Sequence, residues 1–253
     1  MVKISTSARS PLSPQLYPPE AFRWWASLGF ALVLIIASFA PAAFFLAILL
    51  VFHMASLQDL KSLTWPVIAA QFASYAVSLA LIAAVLPMIA QRPLSALGLR
   101  LPRASDLAWG LGGAVVMIIV ASVAGAVQEN VFHVKADEVQ VHWLREARGT
   151  LIAGFVILAC IAAPFFEELT FRGFIFNAFL RYCPAWLAVL LSSVLFGLAH
   201  LQPGNIGAIV PLAAGGLVLA TVYYRSGSLA ASMVTHALFN TFTVVLVLVF
   251  HQV

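Results

Sequence analysis

The sequence has few charged residues. Only 9% of its 253 residues are Asp, Glu, Lys or Arg and 63% are hydrophobic, whereas an ordinary soluble domain carries about 25% charged residues. A water-soluble globule of this size could not hide so much apolar surface, because its outside still needs polar groups. With 13 basic against 9 acidic residues, charge is also too sparse for a nucleic-acid-binding stripe. The composition indicates a polytopic membrane protein.

Cysteine is nearly absent, which excludes a disulfide scaffold. The two cysteines, Cys160 and Cys183, lie on one continuous predicted helical stretch, about 35 Å apart at ~1.5 Å per residue. A disulfide between them is geometrically impossible. We expect both to be small core residues without thiol chemistry.

Long charge-free intervals predict about seven transmembrane helices, since a hydrocarbon core ~30 Å thick takes about 20 helical residues. Runs of this length favour helices over the alternating ~10-residue strands of a membrane barrel. The predicted fold is therefore all-α, a polytopic membrane helical bundle. The intervals lie between Arg23 and His53, Lys61 and Arg92, Asp106 and Glu129, and Arg148 and Glu167, then from Pro184 to Tyr224 (two spans with a turn at 202–205) and from Ser228 to Phe250.

The chain divides into three predicted parts. Residues 1–22 are expected to form a flexible cytoplasmic tail, residues 23–149 three transmembrane helices with their loops, and residues 150–253 the remaining helices. With the N-terminus in the cytoplasm, nine Lys and Arg residues fall on the inner side and four on the outer side. The positive-inside rule therefore predicts a cytoplasmic N-terminus and an outer C-terminus.

Ionisable and strongly polar residues inside the spans are concentrated in the second half of the chain. An ionisable residue there costs about 2.5–3.5 kcal/mol on insertion scales. Each residue alone has an ordinary explanation, such as a helix end at the headgroups, a packed histidine or a helix–helix contact. Because three separate spans each carry residues that are costly to insert, we expect these residues to serve one shared function. These residues are Glu167 and Glu168 with Arg172, then His200, then His236 and Asn240.

Helical spacing predicts how these side chains meet. Glu168 and Arg172 are i,i+4 neighbours and are expected to pair, which directs Glu167 elsewhere. A turn at Cys183–Pro184 places Glu167 and His200 at the same depth, ~24 Å from the turn. His236 lies nearer the inner face. Either an amphipathic segment Phe171–Arg181 carries the fourth span beyond the membrane, or the fifth span is short or re-entrant; the sequence leaves both open.

Three motifs in these spans resemble the signatures of the CPBP family (CAAX protease and bacteriocin-processing, or Abi) of intramembrane proteases. They are two Glu, three residues and Arg (167–172), Phe, three residues and His (196–200), and His, three residues and Asn (236–240). Each pattern alone is weak, but all three in order and in separate predicted spans are specific. The resemblance covers about residues 150–245, and the first three spans match only in being hydrophobic.

The resemblance implies that residues 150–253 form the catalytic core of an intramembrane protease in a bacterial plasma or inner membrane. It implies partners of two kinds, the lipid bilayer and a hydrophobic or membrane-anchored peptide or protein, and no nucleic acid. Eukaryotic members trim prenylated proteins, but nothing here singles out a prenylated substrate. The implied catalytic residues are Glu167, His200, His236 and Asn240, and the implied supporting residues are Glu168, Arg172 and Phe196.

Two versions of the chemistry fit these residues. In one, Glu167 takes a proton from water and returns it to the leaving amine, while His200 or the Asn240 amide donates to the oxyanion. In the other, Glu167, His200 and His236 form the two-histidine, one-carboxylate set that holds a divalent metal such as zinc. The sequence does not separate a metalloprotease from a metal-free glutamate protease.

Two other function classes remain as alternatives. One is a non-catalytic membrane immunity or scaffold protein of the same fold, which an intact set of costly polar residues disfavours. The other is a small transporter that uses Glu167 and the histidines as a proton relay, which the lack of evident internal repeats disfavours. Other intramembrane protease types fit worse, because the sequence has no His-Glu-x-x-His motif and no aspartate pair within its spans.

Overall fold

The computed structural model of the chain describes residues 62–89, 97–136, 139–201 and 206–250, with single positions between 29 and 52. The predicted tail at residues 1–22, most of the first predicted span and the turn at 202–205 lie outside the described residues. The helices of the continuous ranges are α1 (Trp65–Ile89), α2 (Ala104–Phe132), α3 (Val139–Glu146), α4 (Thr150–Leu180), α5 (Ala185–Ala199), α6 (Ile209–Ser226) and α7 (Leu229–Phe250).

The predicted all-α membrane bundle is confirmed. Among the described residues there is no strand, and five helices are long and apolar enough to cross a membrane, namely α1, α2, α4, α6 with its leading turn, and α7. The fifth predicted span is short, which is one of the two alternatives that the sequence leaves open. α5 has 15 residues, which is only about 22 Å of helix.

Glu167 and His236 lie at one level of the bundle, and α4 is long enough to bring them together there. α4 has 31 residues, or about 46 Å. Gly173 of α4 lies level with the start of α7, because a Cβ at Gly173 would be 3.6 Å from Leu229 Cδ1. α4 then continues for about 10 Å to Leu180. Glu167 lies about 9 Å before Gly173, and His236 lies about 10 Å beyond Leu229, so the two side chains share one depth.

Only part of the segment expected to be amphipathic, Phe171–Arg181, is fully covered by neighbouring helices. Every residue from Leu169 to Phe176 is buried, whereas Asn177 and Arg181 are half-buried. The start of α7, the end of α6 and the residues before α2 cover the buried part: Leu229, Tyr223 and Leu97 pack in one cluster with Leu169 and Phe176. The Tyr223 hydroxyl fixes this arrangement by donating to the Leu97 carbonyl at 3.0 Å.

Small residues bring the helices close together. A Cβ at Gly197 of α5 would lie 2.6 Å from the Ile209 carbonyl oxygen, and a Cβ at Gly216 of α6 would lie 3.1 Å from Ser193 Cα. α5 and α6 therefore pack backbone against backbone. This contact holds the end of α5, where His200 is located, against the rest of the bundle.

Candidate active site

The backbone of α4 widens on both sides of the glutamate pair. Residues Leu158–Ala162 and Leu169–Phe176 are π-helical, and Ala163–Glu168 between them is α-helical. Pro164 supplies the cause of the first π segment, because it lacks the N–H that would bond four residues back and its ring crowds that carbonyl. Such π segments re-aim the side chains that follow them and are frequent at functional sites.

Side-chain amides satisfy backbone carbonyls of the widened turns. Asn240 Nδ2 donates to Ala159 O at 2.6 Å in the first π segment. Asn177 Nδ2 donates to Arg172 O and Gly173 O, each at 2.9 Å, in the second. In a regular helix these carbonyls would accept from backbone N–H groups of the same helix. The two side-chain amides therefore reduce the free-energy cost of burying them without a hydrogen bond.

Glu168 is the centre of a fully buried polar network. Its Oε1 accepts from Arg172 Nη1 at 2.9 Å and lies 3.0 Å from His236 Nδ1. Its Oε2 accepts from the Ser232 hydroxyl. Neither Glu168 nor Arg172 is exposed to any extent, and three donors on one carboxylate are what a buried charge needs to be stable. The i,i+4 pairing that the sequence predicts is therefore present.

Arg172 packs against the ring of Phe196, and that ring packs against both histidines. Arg172 Nη2 donates to Gly216 O at 3.0 Å, and its guanidinium lies 4.6 Å from the centroid of the Phe196 ring. That ring lies 4.8 Å from the ring of His200 and 5.8 Å from the ring of His236. Phe196 thus packs against the cation and both imidazoles at once, and it is almost completely buried.

Glu167 points away from this network and toward the histidines. Its Oε2 lies 3.8 Å from His200 Nε2 and 3.9 Å from His236 Nε2. About 20% of the Glu167 side chain and 22% of the His200 side chain are exposed, so the site borders the surface of the protein, while the Oε2 atom itself is buried. Oε2 has no hydrogen-bond partner among the residues that the structure describes.

The contacts of Nδ1 in each histidine determine which ring nitrogen carries the proton. His200 Nδ1 lies 2.8 Å from Phe196 O, and His236 Nδ1 faces the Glu168 carboxylate. Both acceptors require a proton on Nδ1, so each neutral imidazole carries its lone pair on Nε2. Two nitrogen lone pairs and one carboxylate oxygen then converge on a single space, which favours a water molecule or a cation there.

The same three groups have the donor chemistry of a zinc site. A carboxylate or backbone carbonyl on the far nitrogen of each histidine is the usual arrangement around metal-bound imidazoles. Tetrahedral zinc places neighbouring ligand atoms about 3.3 Å apart, so the present distances are about half an ångström wider. The described part of the chain contains no group of three His, Cys, Asp or Glu residues already at metal-binding spacing.

Asn240 bonds to the backbone of α4 rather than to the network described above. It is one turn beyond His236 on α7, and its amide nitrogen donates to the Ala159 carbonyl. The structure therefore brings together Glu167, His200 and His236, places Glu168, Arg172 and Phe196 around them, and uses Asn240 to connect α7 to the first π segment.

Sequence reasoning missed Tyr75 of α1. The Tyr75 hydroxyl donates to Glu167 Oε1 at 3.4 Å, and its ring stacks on Phe166 with centroids 4.7 Å apart. A signal was present in the sequence. Gln71, Ser74, Tyr75 and Ser78 follow the i, i+3, i+4, i+7 spacing of one helix face within an otherwise apolar span.

Comparison with known proteins supports the family resemblance. Residues 149–242 match the family described as Type II CAAX prenyl endopeptidase Rce1-like. The match begins just before α4 and ends just beyond Asn240, so it contains all three motifs.

Two relatives illustrate the extent of similarity. The Bacillus subtilis (strain 168) protein named "Putative membrane peptidase YdiL" is 25% identical over 141 residues, which is 56% of this chain and 56% of that protein. The Escherichia coli protein named "Uncharacterized 24.3 kDa protein" is 40% identical over 78 residues, 30% of this chain and 36% of that protein. The chain thus covers little more than half of the first relative and about a third of the second. No solved structure matches the chain.

Proposed function

Because residues 149–242 resemble the Rce1-like endopeptidases, we propose that the protein is an intramembrane endopeptidase acting on a hydrophobic or membrane-anchored polypeptide. The observation that carries this proposal is the position of Glu167 Oε2, which lies between two imidazole nitrogens without a hydrogen-bond partner among the described residues. A carboxylate held in this way is suited to take a proton from a water molecule in the same space.

The atoms of the site account for hydrolysis in two steps. Glu167 Oε2 and one imidazole Nε2 accept the two hydrogens of a water molecule, whose oxygen attacks the substrate carbonyl carbon as Glu167 takes one proton. The other imidazole, when protonated at Nε2, donates to the oxyanion. Glu167 then passes its proton to the amide nitrogen, and the C–N bond breaks as the carbonyl re-forms.

A divalent metal is the alternative version of the same site. Glu167, His200 and His236 would hold the ion, which would supply a bound water of lowered pKa and a Lewis acid for the carbonyl oxygen. In that version the Phe196 carbonyl and the Glu168 carboxylate, which bind the Nδ1 atoms, would leave both Nε2 atoms available as ligands. The metal content of the purified protein and its sensitivity to chelators distinguish the two versions.

The position of the site favours access from one side of the membrane. The site lies about 10 Å from the start of α7, at the end of the bundle that carries Arg100, Arg103 and Arg225. The positive-inside rule assigns that end to the cytoplasm. We therefore propose cleavage close to the cytoplasmic face of a bacterial plasma or inner membrane, with the N-terminus inside.

A comparison of membrane-protein N-termini tests the proposal even while the substrate is unidentified. Source cells lacking the gene receive the wild-type chain, Glu167→Gln, His200→Ala or His236→Ala at matched expression. We expect N-termini that appear with the wild type to disappear with each variant. Glu129→Gln, a change at an exposed α2 position, is the matched control and should restore the cuts. Wild-type cutting by all three site variants would reject hydrolysis here and favour an immunity or scaffold protein.

A further inference from the structure

Tyr75 holds the carboxylate that the proposed reaction depends on. Its hydroxyl donates to Glu167 Oε1 at 3.4 Å, while Oε2 remains directed at the histidines. Within the described part of the chain, this is the only hydrogen bond that the Glu167 side chain accepts. The neighbouring Glu168 is bound separately by Arg172, His236 and Ser232.

The phenol is itself fixed in place. Tyr75 is 7% exposed, and its ring lies nearly parallel to Phe166, at an interplanar angle of 11°. Phe166 directly precedes Glu167, so the stack and the hydrogen bond join the same two helices at neighbouring residues. The Gln71 side chain also hydrogen-bonds the Tyr75 hydroxyl from one turn earlier on α1. Ring and hydroxyl together therefore have little freedom.

We propose that Tyr75 is a positioning residue for the reaction, one that fixes the rotamer of Glu167 so that Oε2 faces the water. This inference rests on the proposed function. A free glutamate side chain samples several rotamers, and a loosely held general base loses the near-attack geometry that makes proton transfer efficient. The site then includes α1, which lies outside the segment that matches the family.

The test compares variants in proteoliposomes, with a membrane polypeptide found by the N-terminal comparison as substrate. Tyr75→Phe removes the hydroxyl and keeps the ring stack. We expect kcat to fall about tenfold, as for a hydrogen bond to a charged group worth ~1.4 kcal/mol, with KM and the melting temperature unchanged. Tyr224→Phe, on the partly buried α6 tyrosine that packs against Phe176, is the matched control and should keep wild-type kcat.

A double-mutant cycle separates positioning from a general structural effect. Glu167→Asp withdraws the carboxylate from the phenol, so adding Tyr75→Phe should lower kcat little further. Additive losses would show that Tyr75 acts apart from Glu167 and would overturn the inference. Wild-type kcat for Tyr75→Phe would overturn it as well.

A second variant covers the case in which Tyr75→Phe does not fold. Gln71→Met removes the amide that holds the phenol and keeps an unbranched side chain of similar length, and we expect a smaller loss of kcat, about threefold. A wild-type kcat for this variant would then count against the inference. Full cleavage by Glu167→Gln would instead reject the proposed function itself, so the two failures are distinguishable.

Discussion

His236 Nδ1 lies 3.0 Å from Glu168 Oε1, so the second glutamate of the pair orients the imidazole that faces the first. The same oxygen accepts from Arg172 Nη1 at 2.9 Å. Glu168 therefore connects a buried cation on its own helix to a histidine on α7. The two adjacent glutamates therefore have different roles. Glu168 binds the buried side chains around it, and Glu167 Oε2 faces the two imidazoles.

The first prediction concerns this buried ion pair. Glu168→Gln leaves the Arg172 charge without its partner in a site with no exposure, so we expect a loss of about 3–5 kcal/mol in the free energy of unfolding. Denaturant unfolding in detergent measures it. The double variant Glu168→Gln, Arg172→Met removes both charges and should recover part of that loss. A Glu168→Gln protein as stable as the wild type would contradict the role assigned to the pair.

The second prediction concerns the contact between α5 and α6. Gly216→Ala places a methyl group 3.1 Å from both the Cα and the Cβ of Ser193. The helices must move apart because these atoms belong to the backbone or adjoin it. We expect a loss of about 1–3 kcal/mol in stability, together with reduced cleavage because α5 carries His200.

Gly112→Ala is the matched control for this change. A Cβ at Gly112 meets nothing within 4 Å, so alanine there should stabilise α2 by up to ~1 kcal/mol. Equal effects of the two substitutions on melting temperature and cleavage would show that close approach of α5 and α6 is unimportant.

The third prediction distinguishes two roles for Asn240. Asn240→Asp removes the amide that donates to Ala159 O and places a carboxylate oxygen against a carbonyl. We expect stability to fall by about 1–3 kcal/mol along with cleavage. A role only as an oxyanion donor would instead lower kcat about 10²–10³-fold with stability unchanged. Asn130→Asp is the control, since Asn130 makes the same kind of bond to Ala126 O at an exposed position.

Much of the fold and part of the site follow from local sequence. Hydropathy predicts the long helices, because the bilayer leaves a polypeptide few alternatives. The i,i+4 spacing predicts the Glu168–Arg172 pair and the opposite direction of Glu167. These features depend on a single helix and the lipid around it, so they can be predicted without knowing how the neighbouring helices pack.

The remaining features depend on contacts between helices. Glu167 and His236 lie at the same level because Gly173 lies level with Leu229. The spacing of residues along the chain does not predict this contact between α4 and α7. The polar face of α1 is visible in the sequence, but its partner Glu167 is 92 residues away. Asn240 is recognisable as polar, whereas its bond to Ala159 depends on a π segment that the sequence marks only by Pro164.

The last prediction concerns Pro164 and the direction of Glu167. Pro164→Ala restores the N–H that a regular α-helix uses and removes the ring that crowds the preceding turn. We expect the first π segment to tighten into α-helix, which rotates Glu167 relative to Tyr75 and the histidines. Cleavage should fall at least tenfold, while the melting temperature stays equal or rises, because proline inside a helix costs about 3 kcal/mol.

Pro211→Ala is the control, since Pro211 lies in the first turn of α6, where proline carries little cost. Wild-type cleavage by Pro164→Ala would show that Glu167 is directed by its side-chain contacts alone and that the widened backbone of α4 is dispensable.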